Sequence, residues 1–334
     1  MVYVAFFLLA AAIVFLSLKL SKYVDLLDKT TNVSGAFIGG VLLAAVTSLP
    51  ELFTSLSAVL LLKENSLVTG NILGSNLFNL AVLGICVAVM FRGFSRANIG
   101  KHYVFNLLAC LGVYALIALP VCIRNFPKLG YVSLVSPFIF VLYVLTIVFT
   151  PKSEESEADA STNLTVKQIV LRFVGAAILL VGMSIAITYV SNSVAEKLDL
   201  GKTFAGALLL GVTTSLPELV STVSLCRRGN FNAATGNIVG SNMFNFCILF
   251  LSDVLGFRKG STGVYAYFRN GAAGMQSMLL LTLGASAALL GIIVLTVKTR
   301  APQKKMLGHA TALSCGSLMT SAYLLFLILS TVLA

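Results

Sequence analysis

Charge is what this sequence has least of. Only 10% of its 334 residues are Asp, Glu, Lys or Arg, against 58% hydrophobic, too little polar surface to close a water-soluble globule around the apolar residues. A soluble fold is excluded, and a bilayer is the fitting solvent. Histidine is scarce too: His102 and His309 are the only two, both beside loops, so no HExxH zinc motif exists, and no nucleophile elbow is found either. An intramembrane enzyme is left without its catalytic groups. The six cysteines show neither metal-ligand spacing nor a disulfide framework, and read as packing residues. No polar stretch is long enough for a separate soluble domain. The acidic segment Pro151 to Leu164, with Glu154, Glu155, Glu157 and Asp159 among Ser, Thr and Ala, has the composition of a solvated linker. The net charge of +11 is scattered over short connections and forms no single face, which argues against a nucleic-acid partner.

Apolar runs of about 20 residues, the length that crosses a hydrocarbon core, recur along the chain. We read ten spans, at roughly 2 to 20, 33 to 62, 66 to 90, 103 to 123, 131 to 150, 166 to 190, 201 to 226, 231 to 252, 272 to 297 and 306 to 333. The first lacks a positive leader and is followed by Lys19 and Lys22, as in a retained span. The expected fold class is an all-α polytopic membrane protein: five helices over 1–150, a short acidic cytoplasmic linker over 151–165, and five more over 166–334. Of the 23 Lys and Arg residues, 15 fall on the odd-numbered loops and 8 on the even-numbered ones. The positive-inside rule then places the odd loops in the cytoplasm and both termini outside the cell membrane.

Within the second span stands Thr47, Ser48, Leu49, Pro50, Glu51, and within the seventh Thr214, Ser215, Leu216, Pro217, Glu218. Each copy is followed by a second shared stretch, GNILGSNLFN from Gly70 to Asn79 and GNIVGSNMFN from Gly236 to Asn245. This is an internal duplication. Its copies begin an odd number of crossings apart, so they run through the membrane in opposite directions, the inverted repeat of secondary transporters whose site lies where the halves meet. The second span, at 1.5 Å per residue, would make a rod of about 45 Å against a core of about 30 Å. A break at Pro50 resolves this and frees the carbonyl of Val46, as Pro217 frees that of Thr213. Helices 2 and 7 are therefore expected to be broken, with carbonyls available to a cation.

Of the twelve acidic residues, only Glu51 and Glu218 fall deep within expected spans; the rest lie in loops or near span ends. A charge at a helix centre costs about 2.5 to 3.5 kcal/mol, so the pair costs on the order of 5 to 7. No basic residue lies deep in a span to offset it, and the counter-charge must come from outside the protein. Helical spacing places Thr47, Ser48, Thr54 and Ser55 around Glu51, and Thr214, Ser215, Ser221 and Thr222 around Glu218. Asn71, Ser75 and Asn79 form a polar stripe on the third span, as Asn237, Ser241 and Asn245 do on the eighth. Such oxygen donors suit Ca²⁺, Mg²⁺, Mn²⁺ or Na⁺ and do not suit zinc or copper. The blander use of Ser, Thr and Asn is as glue between helices, with Gly70, Gly74, Gly236 and Gly240 allowing close packing.

At these residues the sequence resembles the cation/Ca²⁺ exchanger superfamily, and specifically the prokaryotic sodium/calcium exchangers, over about 35 to 83 and 203 to 249 and in the ten-span plan around them. The resemblance implies a core of spans 2, 3, 7 and 8 against which spans 1 and 6 slide. It implies that Glu51 and Glu218 bridge a central Ca²⁺, with the carbonyls of Thr47 and Thr214. It further implies flanking Na⁺ sites from Ser48, Ser75, Asn79, Ser215, Ser241 and the carbonyls of Ala44 and Gly211. One departure stands out: where many such exchangers carry an aspartate in span 8, this chain has Asn245, matching Asn79. That leaves two carboxylates, so three Na⁺ would leave a net positive charge in low dielectric.

The expected activity is antiport of Ca²⁺, or of Mn²⁺ or Mg²⁺, against Na⁺, with proton coupling as the alternative and a passive cation channel as the rival of another class. The Thr-Ser pair ahead of each Leu-Pro-Glu favours Na⁺, since the proton-coupled branch usually carries Gly-Asn there. No cofactor is expected, and no partner beyond lipid and the transported cations.

Overall fold

The computed structural model describes residues 1–30, 47–97, 99, 102–122, 128–129, 132–149, 164–256, 272–298 and 305–332. In chain order the helices are α1 (Val2–Thr30), α2 (Leu49–Leu62), α3 (Asn65–Val89), α4 (His102–Cys122), α5 (Val135–Phe149), α6 (Val166–Lys197), α7a (Lys202–Thr214), α7b (Leu216–Arg227), α8 (Phe231–Leu255), α9 (Ala272–Lys298) and α10 (Lys305–Val332). A short helix, Phe91–Phe94, follows α3, and an antiparallel pair of two-residue strands, β1 (Lys128–Leu129) and β2 (Val132–Ser133), precedes α5. Among the described residues, α1, α3, α6, α8 and α10 contain stretches long and apolar enough to cross a membrane, and α7a with α7b makes a sixth, bent by 49°. Shorter apolar stretches occupy α2, α4, α5 and α9. The chain is a multi-pass membrane protein.

Two helices run past the spans expected of them. α1 continues to Thr30 and α6 to Lys197, with no Gly or Pro among the added residues to interrupt them. α6 starts where a capping box sets it: Thr165 accepts from the Gln168 amide, and the Gln168 side chain accepts from the Thr165 amide.

The expected break in helix 7 falls at Ser215, whose φ of −89° and ψ of 5° end α7a. Pro217 then occupies the first turn of α7b, where its missing N–H leaves nothing unbonded. Ser48 has nearly the same conformation, φ −92° and ψ 13°, with Pro50 in the first turn of α2. The stretch before Thr47, which includes Val46 and Ala44, lies outside the described residues.

Within α7a, Gly206–Gly211 winds as a π-helix, a form frequent at functional sites. It lies with its backbone against that of α3. A Cβ on Gly74 would clash with the Ala207 Cα, and one on Gly70 with the Thr203 carbonyl oxygen. Gly74→Ala is accordingly expected to destabilise by about 1 to 3 kcal/mol through overpacking. Gly182→Ala on α6, where a Cβ meets nothing within 4 Å, is expected to stabilise by about 0.5 to 1 kcal/mol. Thermal unfolding of the purified variants checks the opposite signs.

The apolar interior divides into two clusters. The larger joins α3 (Leu73, Leu77, Leu80), α8 (Ile238, Phe246, Leu249), α9 (Leu281, Ile292) and α10 (Met319, Phe326). The smaller joins Ala10, Ile13 and Leu20 of α1 to Leu180 and Ile187 of α6, reaching α7a only through Leu210. α3 and α8 are mostly buried, whereas few residues of α1 and α6 are. The pair α1 and α6 thus lies against a bundle whose centre is α3 and α8. The five described cysteines are buried and unbridged.

Candidate cation site

Glu51 and Glu218 occupy the first turns of α2 and α7b, where the helix N-terminus favours a carboxylate. Both are fully buried, at 0% exposure. The nearest hydroxyl partner of each comes from the opposite repeat. Ser215 donates to Glu51 Oε1 at 3.0 Å, and Ser48 donates to Glu218 Oε1 at 3.2 Å. Ser241 of α8 adds a longer contact to Glu218 Oε1 at 3.5 Å. The exchange is reciprocal: the serine of each copy bonds the glutamate of the other.

Of the residues one turn after the glutamates, Thr54 turns back to the carbonyls of Pro50 (2.7 Å) and Glu51 (3.1 Å). Thr54 and Ser55 then accept from Asn71 Nδ2 at 3.0 and 2.9 Å, and Thr222 accepts from Asn237 Nδ2 at 3.0 Å. These groups tie α2 to α3 and α7b to α8. Asn71 and Asn237 join these helices, and the nearest hydroxyl on each glutamate comes from across the interface.

The remaining expected site residues lie on the same elements. Thr47 and Thr214 are buried, and Thr214 Oγ1 donates to the Leu210 carbonyl at 2.9 Å. Ser75 donates to the Gly211 carbonyl at 3.2 Å, joining α3 to the π-turn. Asn79 and Asn245 are buried on α3 and α8, with Nδ2 directed at Asn242 Oδ1 (3.0 Å) and Asn76 Oδ1 (2.9 Å).

Four side-chain oxygens of these residues are buried without a hydrogen-bond donor: Glu51 Oε2, Glu218 Oε2, Asn79 Oδ1 and Asn245 Oδ1. Leaving such acceptors bare costs about 1 to 3 kcal/mol each, and more for a charged group. Among the described residues no Lys, Arg or His is buried, and the one ion pair, Lys202–Glu196 at 3.0 Å, lies at the junction of α6 and α7a. No group of three or more His, Cys, Asp and Glu occurs among them either. The donor set is hard oxygen throughout, with acceptors in pairs and no fixed counter-charge, a set that fits an alkali or alkaline-earth cation.

Two features escaped the pattern in the sequence. Asn76 and Asn242 fall outside the stripe spaced by four, though their spacing of three from Asn79 and Asn245 puts them on the same helix face. Asp253 is the other. Expected near the end of a span, it does lie in the last turn of α8, yet it is only 2% exposed and accepts from Ser136 Oγ (2.6 Å) and the Ser133 amide (3.2 Å). It fastens the start of α5 to α8. Asp253→Ala is expected to cost about 2 to 3 kcal/mol by stranding these donors, measured as a lower unfolding temperature.

Comparison with known proteins fits this arrangement. The family model described as sodium/calcium exchanger protein matches residues 1–152 and 168–332. The inner membrane protein YrbG of Escherichia coli is 28% identical over 266 residues, covering 72% of this chain and 78% of its own length. The H⁺/Ca²⁺ exchanger CAX shares the fold with a TM-score of 0.65 at 13% identity, over 99% of this chain and 90% of that one. The sodium-calcium exchanger NCX_Mj does so with a TM-score of 0.58 at 21% identity, over 98% and 99%. A family match over nearly the whole length, on a fold that buries two duplicated glutamates without counter-charge among the described residues, makes this chain a member of the sodium/calcium exchanger protein family, a family of transporters.

Proposed function

We propose that the protein is a secondary antiporter exchanging Ca²⁺, or a related divalent cation, for Na⁺ across the cytoplasmic membrane. The observation that carries this is the set of four bare buried oxygens on Glu51, Glu218, Asn79 and Asn245, which nothing cationic among the described residues faces. Glu51 and Glu218 hold the ion between them. Ser48, Ser215, Ser75, Ser241, Thr47, Thr214, Gly211 and Ala44 complete the central and flanking positions. The topology is ten spans in two inverted five-helix repeats, with broken helices 2 and 7 and both termini extracytoplasmic. Lipid is the only partner, and no cofactor takes part.

Coupling follows from charge. One divalent ion or two monovalent ions neutralise the two carboxylates. The empty site carries two negative charges through a low-dielectric barrier, where each unit interaction is worth several-fold more than in water. Only loaded states cross, which makes transport obligatory exchange. The separate apolar cluster of α1 and α6 gives those helices a surface along which to slide, exposing the site to one side at a time.

A proton-coupled reading is supported by the asparagines at 79 and 245. With only two carboxylates, two protons neutralise the site as completely as two Na⁺. The test that separates exchange from a channel is radiolabelled Ca²⁺ efflux from proteoliposomes. An exchanger saturates and stops when no cation is supplied on the far side; flux that rises linearly and needs no counter-ion contradicts the proposal.

A further inference from the structure

The amides of the two asparagine pairs form a closed lattice between α3 and α8. Asn76 Nδ2 donates to the main-chain carbonyl of Asn242 (3.4 Å), and Asn242 Nδ2 donates to that of Asn76 (3.2 Å). A main-chain carbonyl only accepts, so it fixes which end of each amide faces it. The nitrogens of Asn76 and Asn242 are thereby spoken for, and their oxygens point onward. Asn76 Oδ1 accepts from Asn245 Nδ2 at 2.9 Å, and Asn242 Oδ1 accepts from Asn79 Nδ2 at 3.0 Å. The second pair is oriented in turn, and its oxygens are the ones left bare.

We propose that Asn76 and Asn242 are positioning residues that set the amides of Asn245 and Asn79, so that each turns its carbonyl oxygen and not its NH₂ toward the transported cation. The assignment rests on the cation-site reading above. A primary amide is ambivalent, and an amide flipped in the other sense would present two partly positive hydrogens to an incoming ion. The two main-chain carbonyls remove that ambivalence for both halves of the site. A third carboxylate would give the same oxygen-only surface at the cost of another buried charge; the lattice achieves it with neutral groups.

The test is a double-mutant cycle on radiolabelled Ca²⁺ binding to the purified full-length chain. Asn76→Leu keeps the size of the side chain and removes the acceptor that anchors Asn245. It is expected to weaken Ca²⁺ about 10- to 100-fold, the range for loss of a group that orients a ligand. Asp at 245 offers oxygen whichever way it turns, so in the Asn245→Asp background the same substitution is expected to change affinity by less than about threefold. Asn242→Leu with Asn79→Asp repeats the cycle in the other half and serves if Asn76→Leu does not fold. An equal loss in both backgrounds, no loss in the native background, or failure of both leucine variants to fold overturns the inference, since each makes the lattice structural. Glu51→Gln separates the two levels. If it binds Ca²⁺ like the unaltered protein, the cation-site reading itself fails; if it abolishes binding while Asn76→Leu leaves it unchanged, only the positioning role fails.

Discussion

Glu51→Gln and Glu218→Gln are each expected to abolish exchange, with a loss on the order of 100-fold or more, while leaving the protein at least as stable in the absence of ions. The first half follows from Coulomb's law. A unit charge pair at 4 Å is worth about 4 kcal/mol at an effective dielectric of 20, and a divalent ion doubles it. Even a third of that sum, net of desolvation, is about 100-fold in affinity. The second half follows from burial: both carboxylates are fully enclosed, each with one oxygen lacking a donor. Replacing one by a neutral amide removes part of the roughly 2.5 to 3.5 kcal/mol insertion cost of a charge. Loss of function coupled to gain of ion-free stability is the mark of a ligand, whereas a structural glutamate would give loss of both. Thermal unfolding with and without Ca²⁺ reads this out. The unaltered protein is stabilised by ion binding to its folded state, and the glutamine variants start higher and do not respond.

Asn245→Asp is expected to change the charge carried per cycle. On the proposed reading, two carboxylates exchange one divalent ion for two monovalent ions and the cycle moves no net charge. A third carboxylate at this position, beside Asn76 and one turn from Ser241, supplies a place for a third monovalent ion. The dependence of rate on Na⁺ concentration should steepen from about second to about third order, because neutralising each added charge in low dielectric requires an added cation. Exchange then becomes electrogenic, and a membrane potential worth about 2.3 kcal/mol per charge per 100 mV drives it. Flux measured with the potential clamped by K⁺ and valinomycin checks this. The unaltered protein is indifferent to voltage and the Asp variant responds.

Much of the site could be read from the sequence because duplication and burial both leave marks there. Two glutamates beside prolines in apolar runs have few uses, and the structure buries both at helix N-termini, Glu218 just past the bend at Ser215. What could not be read was which residue serves which. Helical spacing places Ser48 near Glu51, yet its hydroxyl reaches Glu218. Periodicity describes one helix at a time, and the exchange of partners is a property of the interface between two. Asn76 and Asn242 were missed for the same reason, since each bonds to the main chain of the other repeat. Asp253 was missed because a carboxylate near a helix end is ordinarily solvated. The donors that allow its burial, Ser133 and Ser136, lie more than a hundred residues away in the chain.

The most direct test of the account is radiolabelled Ca²⁺ uptake into proteoliposomes under an outward Na⁺ gradient or an outward proton gradient, imposed separately. The account predicts uptake driven by Na⁺, halting as the gradient collapses and absent in Glu51→Gln and Glu218→Gln. Uptake driven by the proton gradient alone would contradict Na⁺ coupling while sparing the exchanger. No Ca²⁺ uptake under either gradient would contradict the assignment of Ca²⁺ itself.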